Sequence, residues 1–247
     1  MGGRFIQAAV DATVTQTADR AIPEDGEDWG EANDWYWQGL CCHWRLLGAE
    51  GTRPLVLLHG FGASSAHWRH NAAALKAAGF RVYSLDLIGF GASAQPGPRQ
   101  NQQLNNRLWG KQLAAFLEQI VQASPNEQAV LIGNSLGGLT ALTTAAFRAD
   151  LVAAVIAAPL PDPALVQPLA IRKPRWWRRF WGNLMTIFFR LLPLELIVPL
   201  IAHSSLIKMA LQMGYHHSID SDHELLHLIA QPARRPTAAR ALRSMCV

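Results

Sequence analysis

The stretch that decides the fold is Gln128-Ala129-Val130-Leu131-Ile132-Gly133-Asn134-Ser135-Leu136-Gly137-Gly138. Its short apolar run predicts a buried strand over Gln128–Gly133, and a helix follows at once, to about Arg148. Between them, Gly133-Asn134-Ser135-Leu136-Gly137 has the form G-x-S-x-G. A strand that passes straight into a helix must turn sharply. Small residues on both sides let the serine take a strained conformation that lifts its hydroxyl out of the sheet. The helix N-terminus behind it adds free N–H groups and a partial positive charge. Ser135 is therefore the candidate nucleophile. The plainer alternative is a tight turn whose serine only caps the helix.

The pattern repeats on both sides. Pro54–Leu58 is a fully apolar strand ending in His59-Gly60-Phe61-Gly62. Ser65 is placed to cap a helix running to about Ala78. Phe80–Leu85 is the next predicted strand, ending in Asp86 and the turn up to Ser93. Asn105–Ala123 reads as an amphipathic helix and Leu151–Ala157 as another apolar strand. Upstream, Trp35–Gly39 and Cys41–Leu47 read as a hairpin around Gly39. Continuous apolar strands separated by helices predict a parallel sheet covered on both faces. After Ala158 the pattern is helical, broken by prolines at 174, 193, 199, 232 and 236. The expected organisation is a poorly ordered lead-in over 1–34, a core over 35–160, and a helical cap over 161–247. The acidic run from Glu24 to Asp34 is expected to be solvated.

An acyl-transfer nucleophile needs two donors aimed at the developing oxyanion. One is the N–H of Leu136. The other is expected from the N–H of Phe61, in a loop that Gly60 and Gly62 free to turn inward. His59 is read as holding that loop by hydrogen bonds rather than as a base. Asp86 is read as a turn-shaping residue whose carboxylate holds backbone N–H groups.

The chain has 247 residues, 50% hydrophobic and 16% charged, which excludes a disordered chain. Cys41, Cys42 and Cys246 form no disulfide framework and suggest a reducing, cytoplasmic compartment. Lys+Arg against Asp+Glu is 11 to 13 over residues 1–160 and 11 to 5 over 161–247, giving −2 and +6. This basic excess points to a membrane surface or an acidic ligand rather than nucleic acid. The first residues lack the apolar core of a secretory signal, and Ile6 stands where a myristoylation motif requires Ser or Thr. Asn183–Ala202 is the most apolar stretch, but Arg190, Pro193, Glu195 and Pro199 argue against a spanning helix.

HGFGAS at 59–64, DLIGFGAS at 86–93 and GNSLGG at 133–138, in this order and spacing, resemble the α/β-hydrolase superfamily over about residues 35–160. More narrowly, WYWQG at 35–39, HGFGASSAHWRHN at 59–71 and GNSLGG resemble its pheophytinase-like branch of plants and cyanobacteria. That branch cleaves the phytyl ester of chlorophyll breakdown products. The resemblance implies a mostly parallel α/β-hydrolase sheet with a helical cap, and ester hydrolysis through an acyl-Ser135 intermediate. A bulky apolar ester is the implied substrate. Serine rather than aspartate at 135 disfavours the haloalkane dehalogenase and epoxide hydrolase branches.

The resemblance also implies a triad in the order Ser, Asp or Glu, His, with the acid after a seventh strand and the His after an eighth. Neither strand is visible in the sequence, so the fold is expected to lack the last two core strands. The expectation is a C-terminally truncated hydrolase of impaired activity. Asp162 remains as acid candidate, and the cap histidines His203, His216, His217, His223 and His227 as bases. The alternative is a non-catalytic remnant that binds lipid or a partner through its cap.

Two further motifs lie in the cap. His223-Glu224-Leu225-Leu226-His227 spells H-E-x-x-H, a zinc-hydrolase pattern if a third ligand exists. No acid or histidine follows it, and no metal is expected. Arg172-Lys173-Pro174-Arg175-Trp176-Trp177-Arg178-Arg179 packs five cations and two tryptophans together, which suits peripheral membrane contact through 172–202. The other reading is a hydrophobic cap with a solvated rim. With no phosphate-binding, dinucleotide or haem motif present, no cofactor is expected.

Overall fold

The computed structural model describes residues 29–48, 53–97, 103–158, 191–202 and 223–246, with isolated positions between 176 and 212. The strands are β1 (Glu31–Trp37), β2 (Leu40–Leu47), β3 (Pro54–Leu58), β4 (Arg81–Leu85), β5 (Ala129–Gly133) and β6 (Val152–Ala157). The helices are α1 (Arg69–Ala77), α2 (Asn106–Phe116), α3 (Leu136–Phe147), α4 (Leu194–Ala202), α5 (His223–Ala233) and α6 (Ala238–Cys246). The sheet runs β1-β2-β4-β3-β5-β6. β1, β2 and β4 pair antiparallel, while β4, β3, β5 and β6 are parallel.

β3 is apolar throughout because helices cover both its faces. Val56 and Leu58 pack with Trp109, Leu113 and Phe116 of α2 and Ala141 of α3. Leu55 and Leu57, pointing the other way, pack with Ala72 and Leu75 of α1. Each such leucine contributes about 1.5–3 kcal/mol by leaving water. β6 is an edge strand among the described residues and is only half-buried.

The hairpin forms around Gln38 and Gly39, both at positive φ (50° and 75°), as a two-residue turn with right-handed strand twist requires. β1, however, begins at Glu31, inside the acidic run expected to be a solvated lead-in. Glu31 pairs with Leu46. Arg45 draws the entering chain in: its guanidinium lies 3.5 Å from the Trp29 ring centre and donates to Gly30 O at 2.8 Å. Glu31 and Asp34 still meet water, because the exposed residues of an edge strand can be charged.

Two helix expectations also change. Ser65 opens a short 3-10 segment, Ser65–Trp68, and the cap position is Ser64, with no side-chain capping bond. The N–H of Ser65 is bound instead by Asp86, across the sheet end. The predicted Asn105–Ala123 helix is α2 with Asn105 as its cap, then a π-helical turn over Leu117–Val121 that ends at Gln122 in the left-handed conformation (φ 59°). α6, near the C-terminal end, packs into the core rather than lying apart: Ala241 is buried in the same cluster as β3, and Met245 packs against it.

Candidate active site

β3 and β5 are parallel neighbours, with Leu58 opposite Gly133. The chain leaves β3 for α1 on one face and leaves β5 for α3 on the other. Their carboxyl ends diverge, and such a switch point leaves a crevice above the sheet. The two segments flanking it are His59–Gly62 and Asn134–Ser135.

Ser135 has φ 51° and ψ −111°, a conformation that costs a non-glycine residue about 1–3 kcal/mol. The neighbouring backbone holds it there. Asn134 N–H donates to Leu58 O at 3.0 Å, Gly137 N–H to Asn134 O at 2.8 Å, and Leu139 N–H to Ser135 O at 3.1 Å. Close approach also fixes the flanking glycines. A Cβ on Gly133 would lie 2.5 Å from Gly137 O, and one on Gly137 would lie 2.6 Å from His59 O. Ser135 stands at the N-cap position of α3 but makes no side-chain capping bond, so its hydroxyl is not spent on the helix. Leu136 opens that helix, where an N–H has no intrahelical acceptor.

The loop after β3 lies against the serine: a Cβ on Gly60 would sit 2.5 Å from Asn134 Oδ1 and 3.5 Å from Ser135 Cβ. Gly62, at φ 75°, turns the loop, closed by Ala63 N–H to Gly60 O at 3.2 Å. His59 is fully buried. Its Nδ1 lies 2.8 Å from Gly60 O and donates to it, and its Nε2 accepts from Leu87 N–H at 3.0 Å. Burial pushes its pKa down, with Asp86 opposing. Both ring nitrogens are thus committed, and the neutral imidazole has no lone pair to offer Ser135. The Phe61 ring is 61% exposed and meets Phe90 edge-on at 5.5 Å, giving the crevice an aromatic wall.

Asp86 does what a turn-shaping carboxylate does. It accepts from Ser65 N–H at 2.5 Å and Ala92 N–H at 2.8 Å. Gln112, which the sequence reading passed over, completes this support. It is fully buried, accepts from Ile88 N–H at 3.0 Å and donates to Asp86 O at 3.2 Å. The available signal was a polar residue on the apolar face of α2.

The acid and base are a different matter. Asp162, His203, His216 and His217 lie outside the described residues. The H-E-x-x-H segment does form a helix, α5, with His227 exposed; the side chains of His223 and Glu224 lie outside the described residues. Among the described residues, no group of three metal-ligating side chains occurs. An imidazole–carboxylate pair lies on the hairpin among the described residues: His43 Nδ1 is 2.9 Å from Asp34 Oδ1. It sits on β1 and β2, and β4 and β3 intervene before β5. Three strand spacings amount to about 14 Å, far beyond hydrogen-bond reach of Ser135. A cavity of about 370 Å³ is lined by His43, Arg45, Asp86 and Arg235, and Ser135 is not among its lining residues.

Comparison with known proteins places this geometry. A sequence model described as the alpha/beta hydrolase fold matches residues 53–203. The chain belongs to the α/β-hydrolase fold family. This α/β hydrolase is 29% identical over 136 residues to epoxide hydrolase 4 of Mus musculus, covering 55% of the chain and 36% of that protein. It is 32% identical over 146 residues to the pimeloyl-[acyl-carrier protein] methyl ester esterase of Vibrio atlanticus, covering 59% and 49%. The chain thus spans between about a third and a half of the length of these curated relatives. Among solved structures, an α/β hydrolase fold protein of Burkholderia ambifaria superposes with a TM-score of 0.60 at 21% identity, over 86% of this chain and 70% of that one. Cfl2 of Burkholderia cenocepacia gives 0.62 at 22%, over 92% and 76%. These likenesses establish the shared fold. No described helix of this α/β hydrolase is long and apolar enough to cross a membrane.

Proposed function

We propose that the chain is a serine ester hydrolase acting on a bulky apolar ester, with Ser135 as nucleophile. The observation that carries this reading is the Ser135 backbone at φ 51°, ψ −111°, between a buried strand and a helix whose cap it does not serve. Ser135 Oγ attacks the ester carbonyl, the N–H groups of Phe61 and Leu136 stabilise the oxyanion, the alcohol leaves, and water releases the acid from the acyl-enzyme. The relatives include both epoxide hydrolases and an ester hydrolase. A hydroxyl at position 135 favours acyl transfer. The exposed Phe61 and its aromatic neighbours favour an apolar substrate, and a pheophytin-like phytyl ester is the narrower form of this reading.

The second reading is a non-catalytic protein that binds lipid or a partner through its cap. A fluorophosphonate probe and a chromogenic long-chain ester separate the two. The enzyme reading expects labelling and turnover that Ser135→Ala abolishes. Without a base, turnover stays within roughly 10³–10⁴-fold of the water reaction. No labelling at all, or labelling that survives Ser135→Ala, overturns the enzyme reading.

A further inference from the structure

The cavity of about 370 Å³ beside the hairpin is separate from the crevice at Ser135 and holds two cations. Its volume falls within the range of small-molecule sites, about 300–1,000 Å³. Arg45 of β2 and Arg235, just after α5, stand in its wall, and neither forms an ion pair among the described residues. A cation drawn out of water without a carboxylate partner carries an uncompensated desolvation cost. Arg45 is stacked on Trp29 and donates to Gly30 O, yet its Nε is buried with no partner among the described residues. Burial pushes its pKa down, and Asp86 only partly opposes this. Arg235 spends Nη1 on Gly91 O at 2.9 Å and Ser93 O at 3.0 Å, which leaves the other edge of its fork. Asp86, the carboxylate in the same wall, does not neutralise the pair. Its two oxygens accept from Ser65 N–H and Ala92 N–H, and two arginines against one carboxylate leave one positive charge. His43, also in the wall, is bonded at 2.9 Å to Asp34, whose carboxylate is exposed and screened by water. Leu228 and Pro232 of α5, with Trp29, supply apolar surface to the cavity.

We propose that this cavity binds a small monocarboxylic acid with an apolar body, its carboxylate held by Arg45 and Arg235. A planar carboxylate matches the fork of a guanidinium, and such charge-assisted bonds are the strong ones. One net positive charge suits a monoanion, whereas a phosphate dianion brings excess negative charge against Asp86. Leu228, Pro232 and the Trp29 ring take the apolar body out of water. Arg45 belongs to the hairpin and Arg235 to the segment behind α5. The ligand therefore also ties that helix to the sheet, alongside the bond from Gln95 Nε2 to Pro232 O at 3.2 Å. The proposal does not depend on the chemistry at Ser135, which is not among the residues of this wall.

The test is isothermal titration calorimetry of the full chain with hexanoate, with hexan-1-ol and inorganic phosphate as comparison ligands. Hexanoate is expected to bind at least about tenfold tighter than either, and more weakly as salt rises. Arg45→Gln and Arg235→Gln should each weaken it about tenfold or more, the loss of one charge-assisted bond. Ala92→Trp should abolish binding by filling the cavity. Ala92 is an exposed wall residue, and its N–H bond to Asp86 survives the change. Phe61→Ala, which alters the crevice at Ser135, should bind hexanoate as the parent does, and so should Ser135→Ala. No hexanoate binding, or hexan-1-ol or phosphate binding as tightly, overturns the proposal. So does binding that survives the arginine variants or Ala92→Trp, or that Phe61→Ala removes. Should an arginine variant not fold by circular dichroism, Ala92→Trp alone decides.

Discussion

At the scale of single residues, the turn at 133–137 depends on what is missing. The carbonyls of Leu58 and His59 occupy the space a side chain at 137 would need, His59 O at 2.6 Å from an added Cβ. Leu58 ends β3 and its carbonyl is held by Asn134 N–H, and His59 follows directly. Gly137→Ala is therefore expected to cost about 3 kcal/mol, read as a lowered denaturation midpoint. Gly62→Ala is the control: φ is 75° but nothing lies within 4 Å of an added Cβ, so only about 1–2 kcal/mol of backbone strain is paid. Equal losses at the two positions would show that crowding is not what selects Gly137. The crowded serine turn, the buried His59 and the bridging Asp86 were legible in the sequence because each is a local motif with one geometry that satisfies it. The His43–Asp34 pair was not. Residues 9 apart meet only through the register of a hairpin, and its uselessness to Ser135 follows from a strand order that no local pattern encodes.

At the scale of elements, the apolar strands were readable to within a residue or two, since a buried parallel strand has few ways to be written. Helix starts were less so, and Ser65 and Asn105 show why. Both are good caps by composition. Asn105 is one: its Oδ1 accepts from Leu108 N–H at 3.1 Å. Ser65 is not: it is the first residue of the 3-10 segment, and its own free first-turn N–H is accepted by Asp86, 21 residues away. A tertiary partner overrides a local preference, and sequence spacing does not announce it. Asn105→Ala is expected to lower stability by about 1 kcal/mol, seen as a modest fall in Tm. Asn105→Asp should recover most of it, since a carboxylate at a helix N-terminus accepts the same bond. The strand β1 was missed at its start for a related reason. Six acids in a row of eleven read as solvated; the two that are described, Glu31 and Asp34, are exposed, but the backbone from Glu31 onward pairs with β2.

At the scale of the whole molecule, the end of β3 couples the site to pH. His59 is fully buried beside it, with its pKa pushed down by burial. His67, in the segment that follows, is pushed down to about 4, first by burial and then by His59 and Arg69. In the unfolded chain both imidazoles protonate near the ordinary value of 6.5. Below that pH the unfolded state binds protons that the folded state refuses, so stability falls as pH falls. The contribution is complete above about 6.5 and is lost progressively toward His67's value near 4. Each histidine that only the unfolded chain protonates adds about 1.4 kcal/mol per pH unit to the slope. Urea midpoints at neutral pH and at two points between 6.5 and 4 should fall steadily, and His67→Gln should reduce the slope by about one such increment. His59 carries a second consequence. Protonating Nε2 removes the acceptor of Leu87 N–H, the bond that ties the β3 loop to the β4 turn. Folded His59 resists that proton, so any Ser135-dependent labelling that relies on this bond should be lost together with the fold rather than before it. A flat stability profile between 6.5 and 4 would mean that these imidazoles titrate freely and that the loop is not held as described.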